Sequence, residues 1–331
     1  MKLRGKRSAP SRVFALLTKR NIIIASCSLA GAGLIAFIIW LITYVSLPPV
    51  QPQPTYNFPD PPPLSSNTPS PTTSADPTQI PPTLTPEPEK IYQILFAVRD
   101  KQRLTDSLIV ANVNCTDKTV DIVNIPRDTR VESANRDNKK INVAYAANGI
   151  DGMKKELSEL IGFEPHYYVV MNSQCIADLV DLIGGIDFEI PVNMNYDDPT
   201  QDLSIHFRKG MTHLTGEDAV LMLRYRDSYG DLGRINTQQN FIKAYAKQAL
   251  TIENITDLPQ FVNIINDKNN LDTNLTLGNL AAFALELRSI DTQSDITAHT
   301  IPTTDAMIGG RSYQIADTEK TREIIRDVFG G

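Results

Sequence analysis

Twenty-seven consecutive residues, Asn21 to Leu47, carry no charge and read NIIIASCSLAGAGLIAFIIWLITYVSL. At about 1.5 Å per residue a helix of this length spans about 40 Å, more than the roughly 30 Å of a hydrocarbon core. A cleaved signal peptide is the alternative, but its apolar core runs only about 7–15 residues. Here the small residues Ala30 to Gly33 are followed by a second apolar block, Leu34 to Val45. An uncleaved transmembrane helix at 21–47 is therefore expected. Residues 1–20 hold seven basic side chains and no acid. The positive-inside rule then makes 1–20 a cytoplasmic tail and puts the rest outside a cell membrane crossed once. Trp40 and Tyr44 fall toward the outer end of the run, where amphipathic rings favour the interface.

Average composition conceals this segregation. The net charge is −6 over 331 residues, so the chain beyond the basic tail carries −13. Fifteen of the 22 prolines lie between Pro48 and Pro88. Proline removes amide donors, and this stretch offers little apolar surface to bury, so 48–90 reads as a disordered linker. If polyproline-like, at about 3.1 Å per residue, it would reach about 125 Å and let the body work away from the lipid surface. Cys115 and Cys175 are the cysteines outside the span. They permit one disulfide, which spacing alone does not establish. No CxxC or HExxH pattern suggests zinc.

From Ile91 the periodicity changes. YQILFAV (92–98), DSLIVANV (106–113), TVDIVNI (119–125), HYYVVMN (166–172) and IDFEI (186–190) are short runs rich in β-formers. Asn114 to Lys118 has turn chemistry and predicts a hairpin between the second and third. Helical spacing runs through 148–162 and 175–185, and helices are predicted near 234–250, 276–288 and 317–328. Thr215 with Asp218 resembles a capping box opening the helix that contains AVLMLR. Strands interleaved with helices predict one α/β layered domain over 91–331 with a largely buried central sheet.

No GxGxxG follows a strand, and neither GxxxxGK[ST] nor GxSxG occurs. An acidic domain outside the cell excludes a nucleic-acid partner. Three segments remain. Asp106 stands at the mouth of a strand, where one carboxylate plus phosphate oxygens suits Mg²⁺; an ordinary turn aspartate is the alternative. Arg127 follows the third strand, and ligands in α/β sheets gather at strand ends. It can fork onto a phosphate or pair with Asp128. Arg224-Tyr-Arg226 precedes Gly230-Asp231-Leu-Gly233-Arg234 and Gln238. If the helix ends near Leu223 and the chain leaves extended, Arg224 and Arg226 share a face. Asp231 can cap the next helix, with Arg234 and Gln238 one turn apart on it. Arginines beside a helix N-terminus make a phosphate site, while a surface ion-pair network through Asp227 and Asp231 remains the competing reading.

In order, RLTDS (103–107), NIPRDT (124–129), KINVAYA (140–146), YYVVMN (167–172), LVDLIGGIDFEIP (179–191), KGMTHLTGEDAV (209–220), LRYR (223–226), GDLGRINTQQNFI (230–242) and IGGRSYQI (308–315) resemble the LytR–CpsA–Psr family of bacterial cell-wall assembly enzymes. The resemblance implies a three-layer α/β/α domain with a central mixed sheet and an apolar tunnel for lipid. It also implies a phosphotransferase that moves a glycopolymer from a polyprenyl-pyrophosphate carrier onto peptidoglycan, with Mg²⁺ or alternatively Mn²⁺. Carried over by motif, Asp106 would bind metal. Arg127, Arg224, Arg226, Arg234 and Gln238 would hold the pyrophosphate, Asp231 would orient the arginines, and Lys140 would line the mouth.

Two departures stand out. Ala97-Val98-Arg99 replaces the family's Gly-x-Asp, with Asp100 one position late, and RxxRQQ becomes Arg234-Ile-Asn-Thr237-Gln238-Gln239 with one arginine lost. Either Asp100 supplies the second metal carboxylate through a local shift or metal binding is weakened, and Arg99 could carry part of the metal's charge. The alternatives to an active transferase are an impaired member that binds polyprenyl phosphate or regulates envelope assembly, and a plain adhesion domain on a stalk.

Overall fold

The computed structural model describes residues 44–56, 89–132, 138–199, 203–225, 231–249 and 258–330. The basic tail lies outside these, as do the expected span except for its last four residues and most of the proline-rich stretch. Among the described residues no helix is long and apolar enough to cross a membrane.

The chain enters the sheet with β1 (Ile91–Arg99), β2 (Thr105–Asn114) and β3 (Thr119–Asn124), paired antiparallel in sequence order. The β2–β3 hairpin is the one predicted. The Asn114 side chain accepts the amides of Thr116 and Asp117, and Lys118 takes a left-handed φ of 61°. Helix α1 (Ala144–Ile161) breaks from helical geometry at Asn148 and Gly149. Its regular part therefore begins where the apolar spacing does. After it come β4 (Tyr167–Asn172) and α2 (Ser173–Leu182).

Four short strands follow: β5 (Ile186–Ile190), β6 (Met194–Asp198), β7 (Leu203–Phe207) and β8 (Gly210–Leu214). They pair β5 with β8 and β6 with β7. Helix α3 (Gly216–Arg224) opens with the expected Thr215–Asp218 capping box. Then come α4 (Asp231–Ala249), α5 (Leu258–Asn266), β9 (Leu271–Thr273), α6 (Leu277–Glu286) and β10 (Ile296–Thr300). The hairpin β11 (Thr303–Ile308) and β12 (Arg311–Ala316) precedes α7 (Thr318–Phe329).

The central sheet is mixed, in the order β10-β3-β2-β1-β4-β9. β1 runs parallel to β4, and β3 to β10. Because β1 and β3 both run antiparallel to β2, the finishing ends of β1, β3, β4 and β10 share one edge with the start of β2. Strand alternation sends Leu95, Leu108, Val110 and Val123 to one face, against Met153, Leu157 and Ile161 of α1 and Ile325 and Phe329 of α7. The opposite face carries Tyr92, Ile94, Val113 and Val169, covered by Cys175, Ile264 and Phe283 from α2, α5 and α6. On the same side Ile242 and Ala246 of α4 lie over Ile109, Ile122 and Ile296. The predicted layered α/β architecture is thus present. Cys115 and Cys175 are both free and buried, so the permitted disulfide is not formed. Burial pushes their thiols up to about 11 and about 12.

Candidate active site

The finishing edge of the sheet is built by a turn and a bulge. Between β1 and β2 the Asp100 amide donates to the Leu104 carbonyl at 2.9 Å, and the Asp100 carboxylate accepts the Leu104 amide at 2.8 Å. Arg103 adopts a left-handed φ of 65° in this turn, and its guanidinium stacks 4.9 Å over the Tyr145 ring. Immediately afterwards the pairing slips, with Val98 opposite Ser107 but Arg99 opposite Thr105. Asp106 is the extra residue of that bulge. Bulges re-aim a side chain, and they collect next to active sites.

Arg127 reaches Asp106 from the loop after β3. That loop is fixed by Pro126, whose carbonyl accepts the Thr129 amide at 3.0 Å and its hydroxyl at 2.6 Å. The Arg127 carbonyl accepts the Asn142 amide at 3.2 Å. The guanidinium donates through Nη1 to Asp106 Oδ1 at 2.5 Å, while its Nε stands 3.9 Å from Asp128. The competing pair with Asp128 is therefore the longer one. Asp128 instead holds Lys140, Nζ to Oδ1 at 3.1 Å, and Lys140 lies 6.0 Å from the Tyr313 ring. Tyr313 belongs to the β11–β12 hairpin, which is tied to this loop by the Gln314 amide donating to the Asp128 carbonyl at 2.9 Å.

Arg234 arrives from the opposite side. It sits in the first turn of α4, only 6% exposed, and its Nη2 donates to the Asp106 carbonyl oxygen at 3.4 Å. Two arginines 107 positions apart in sequence thus converge on one residue, Arg127 on its carboxylate and Arg234 on its backbone. The Arg127–Asp106 pair is partly solvated, with side-chain exposures of 22% and 43%. Such a pair contributes only about 0.2–1 kcal/mol. It is too weak to justify two arginines as a stability device. Gln238 follows Arg234 by one helical turn and is half-buried. Helix α3 ends at Arg224, and Tyr225 is extended at φ −61° and ψ 139°, so the chain leaves extended as expected. Arg224 is exposed, and no contact among the described residues ties it to Asp106. Asp231 opens α4 rather than preceding it, and Arg226 lies outside the described residues.

Asp100 and Arg99 flank the site at the end of β1, each side chain hydrogen-bonded. The Asp100 carboxylate accepts the Leu104 amide of its own turn through Oδ1, which leaves Oδ2 for a second partner. The Arg99 guanidinium donates to the Asn269 carbonyl, a neutral partner that leaves its positive charge in place. Among the described residues no three His, Cys, Asp or Glu side chains converge as metal ligands. A single carboxylate such as that of Asp106 is compatible with Mg²⁺, which takes one or two carboxylates and completes its shell with phosphate oxygens and water.

Sequence reasoning passed over Tyr313 and Asp272. Asp272 accepts the hydroxyls of Tyr145 at 2.7 Å and Tyr168 at 3.3 Å. Burial and this hydrogen bond raise the Tyr145 hydroxyl above its ordinary value. The Tyr145 ring in turn backs Arg103, so this cluster steadies the β1–β2 turn.

A profile of the LytR_cpsA_psr family matches residues 66–328. The polyisoprenyl-teichoic acid–peptidoglycan teichoic acid transferase TagU of Bacillus licheniformis is 30% identical over 232 residues, 69% of this chain and 72% of that protein. TagU of Bacillus cereus is 33% identical over 175 residues, 52% of this chain; at 55% of its own length, the chain spans about half of that relative. The crystal structure of Bacillus subtilis TagV superposes with a TM-score of 0.62 at 26% identity, covering 74% of this chain and 99% of that one. The chain belongs to the LytR_cpsA_psr family.

Proposed function

We propose that this chain is a membrane-anchored phosphotransferase that moves a glycopolymer from a polyprenyl-pyrophosphate carrier to a peptidoglycan hydroxyl. The observation that carries the reading is the convergence of Arg127 and Arg234 on Asp106 at the finishing edge of the sheet, in a domain whose overall charge is negative. The names of the Bacillus relatives support the donor and acceptor classes. The seven-charge tail and the run 21–47 support the anchor, and the layered α/β/α reading is supported by helices on both faces of the sheet.

Phosphoryl transfer asks chiefly for positioning and for neutralisation of charge on the phosphate oxygens. Arg127 and Arg234 supply planar forks for those oxygens, with Gln238 and Lys140 beside them. Arg224, Arg226 and Asp231 complete the set by motif. The acceptor oxygen bonds to the polymer-side phosphorus as the bridging P–O bond breaks, polyprenyl phosphate leaves with the bond's electron pair, and the hydroxyl proton passes to solvent or to the departing phosphate. Asp106 would hold Mg²⁺, which supplies further charge neutralisation when bound. Partly exposed apolar side chains toward the finishing edge of the sheet, Phe96 and Met171 among them, suit the lipid.

A second reading follows from Asp100. Its Oδ1 accepts the Leu104 amide, and if that bond keeps Asp100 from the metal, one acidic ligand remains, which suits a member that binds the carrier with little turnover. The deciding assay follows polyprenyl phosphate released from a polyprenyl-pyrophosphoryl sugar by the purified full chain with Mg²⁺. Turnover that Arg234→Ala lowers about 100-fold supports the transferase. Tight binding of polyprenyl phosphate with no turnover supports the second reading.

A further inference from the structure

Residues 44–56 do not hang as a stalk. Pro48 is buried, and Leu47 packs into the core beneath α6. Asn279 donates to the Ser46 carbonyl at 2.8 Å, and Tyr167 donates its hydroxyl to the Pro49 carbonyl at 2.5 Å. Farther along, Gln93 donates to the Gln53 side chain at 3.3 Å, and the Tyr56 ring meets Phe163 edge-on at 5.9 Å. The surface is shaped for this crossing. A side chain at Gly278 would collide with the Tyr44 carbonyl oxygen, so only glycine leaves room. The chain rejoins the body at Lys90, whose amide donates to Thr116 Oγ1 at 3.0 Å. Both ends of the proline-rich stretch are thus held on the domain, and its length cannot set the distance between an anchor and the body.

The strap begins at the starting end of β1, opposite the candidate active site. Val50 and Leu285, 38% and 50% exposed, line a cavity of about 670 Å³ there with Lys90 and Arg288, while Tyr44, 41% exposed, crosses the start of α6. Glu286 also lines the cavity, paired with Lys118 at 2.5 Å. Exposed apolar groups rimmed by cations are the chemistry of a membrane surface. The uncharged run 21–47 leads straight into this patch.

Resting on the anchoring proposed above, we infer that Tyr44, Val50, Leu285, Lys90 and Arg288 sit on an anionic lipid surface. The fold then lies close to the bilayer with its site on the far side. Nine residues of β1 separate the two ends, about 30 Å at roughly 3.3 Å per residue. A carrier lipid whose pyrophosphate reaches the arginines must therefore run its tail back along the domain.

The test uses the full chain with Cys27→Ser, reconstituted in phosphatidylcholine–phosphatidylglycerol vesicles containing nitroxide headgroup lipid. A fluorophore is placed at Leu285→Cys or, at the site end, Lys268→Cys; the buried Cys115 and Cys175 stay unlabelled. Quenching is expected to be several-fold stronger at 285 than at 268, and to stay the same when residues 57–88 are duplicated. Leu47→Asp should release the strap and lower quenching at 285 several-fold. A chain that floats with the vesicles yet shows weak quenching at both positions, a loss on duplication, or no response to Leu47→Asp overturns the docking alone. A chain that does not float overturns the anchor and the docking with it.

Discussion

The two faces of the central sheet are finished differently. Under α1 and α7, Leu95, Leu108, Val110 and Val123 are at most 1% exposed. On the other face Tyr92 and Ile94 are buried near the strand starts, but Phe96, Val98 and Met171 are only partly covered toward the finishing edge. The closed face has the density expected where burial stabilises the fold. The partly covered strip runs toward the same finishing edge that holds Asp106, Arg127 and Arg234, and apolar surface at that edge would suit the lipid pyrophosphate proposed above.

Adjacent residues of β1 test this division most sharply. Leu95→Ala on the closed face should cost about 2–5 kcal/mol in denaturant unfolding. Phe96→Ala removes a larger side chain, yet it should cost only about 1–2 kcal/mol because part of the ring is already wet. It should instead weaken binding of long-chain polyprenyl phosphate while sparing short-chain analogues. Equal destabilisation by the two changes would erase the distinction between the faces.

Asp106→Ala should raise the Mg²⁺ concentration needed for half-maximal turnover about tenfold or more and leave unfolding nearly unchanged, since the ion pair it loses is half-solvated. An unchanged Mg²⁺ requirement would remove Asp106 from the metal. Thr215→Ala, far from both faces, should cost about 1 kcal/mol by deleting the α3 cap, with no effect on turnover.

The smallest effect concerns His213, whose ring bonds the Asp187 carboxylate at 2.8 Å and is raised above the usual histidine value by that bond. A raised folded-state value means a contribution to stability present at low pH and lost as pH rises through the folded titration. NMR titration should show Asp187→Asn lowering the His213 midpoint.

Much of this was legible in the sequence, because the signals were local. Alternation marked β1 to β3, four-residue spacing marked α1, and Thr215 with Asp218 announced the α3 cap. The pair β6 and β7 is not legible because Met194–Asp198 has three polar residues and buries only Met194. Gly309-Gly310 between Met307-Ile308 and Arg311 was a readable hairpin signal for β11 and β12, and it went unused. The site was only half legible. Motif order picked out Arg127, Arg234 and Asp106, but their meeting depends on a bulge that register alone determines. Asp100 reads as a displaced ligand in the sequence, and its bond to the Leu104 amide is a contact that sequence does not show. The strap at 44–56 reads in the sequence as the end of the span to Leu47 and as linker from Pro48; Gly278 and Tyr167, more than a hundred residues away, hold it down.

The central claim is that Arg127 serves phosphate rather than the fold. Turnover of the polyprenyl-pyrophosphoryl substrate by Arg127→Ala, read beside its thermal midpoint, tests this directly. The account predicts kcat/KM down by about 10²–10³ with Tm within about 4 °C of the parent chain. Full turnover with an unchanged Tm, or a loss of activity that only follows unfolding, would contradict it.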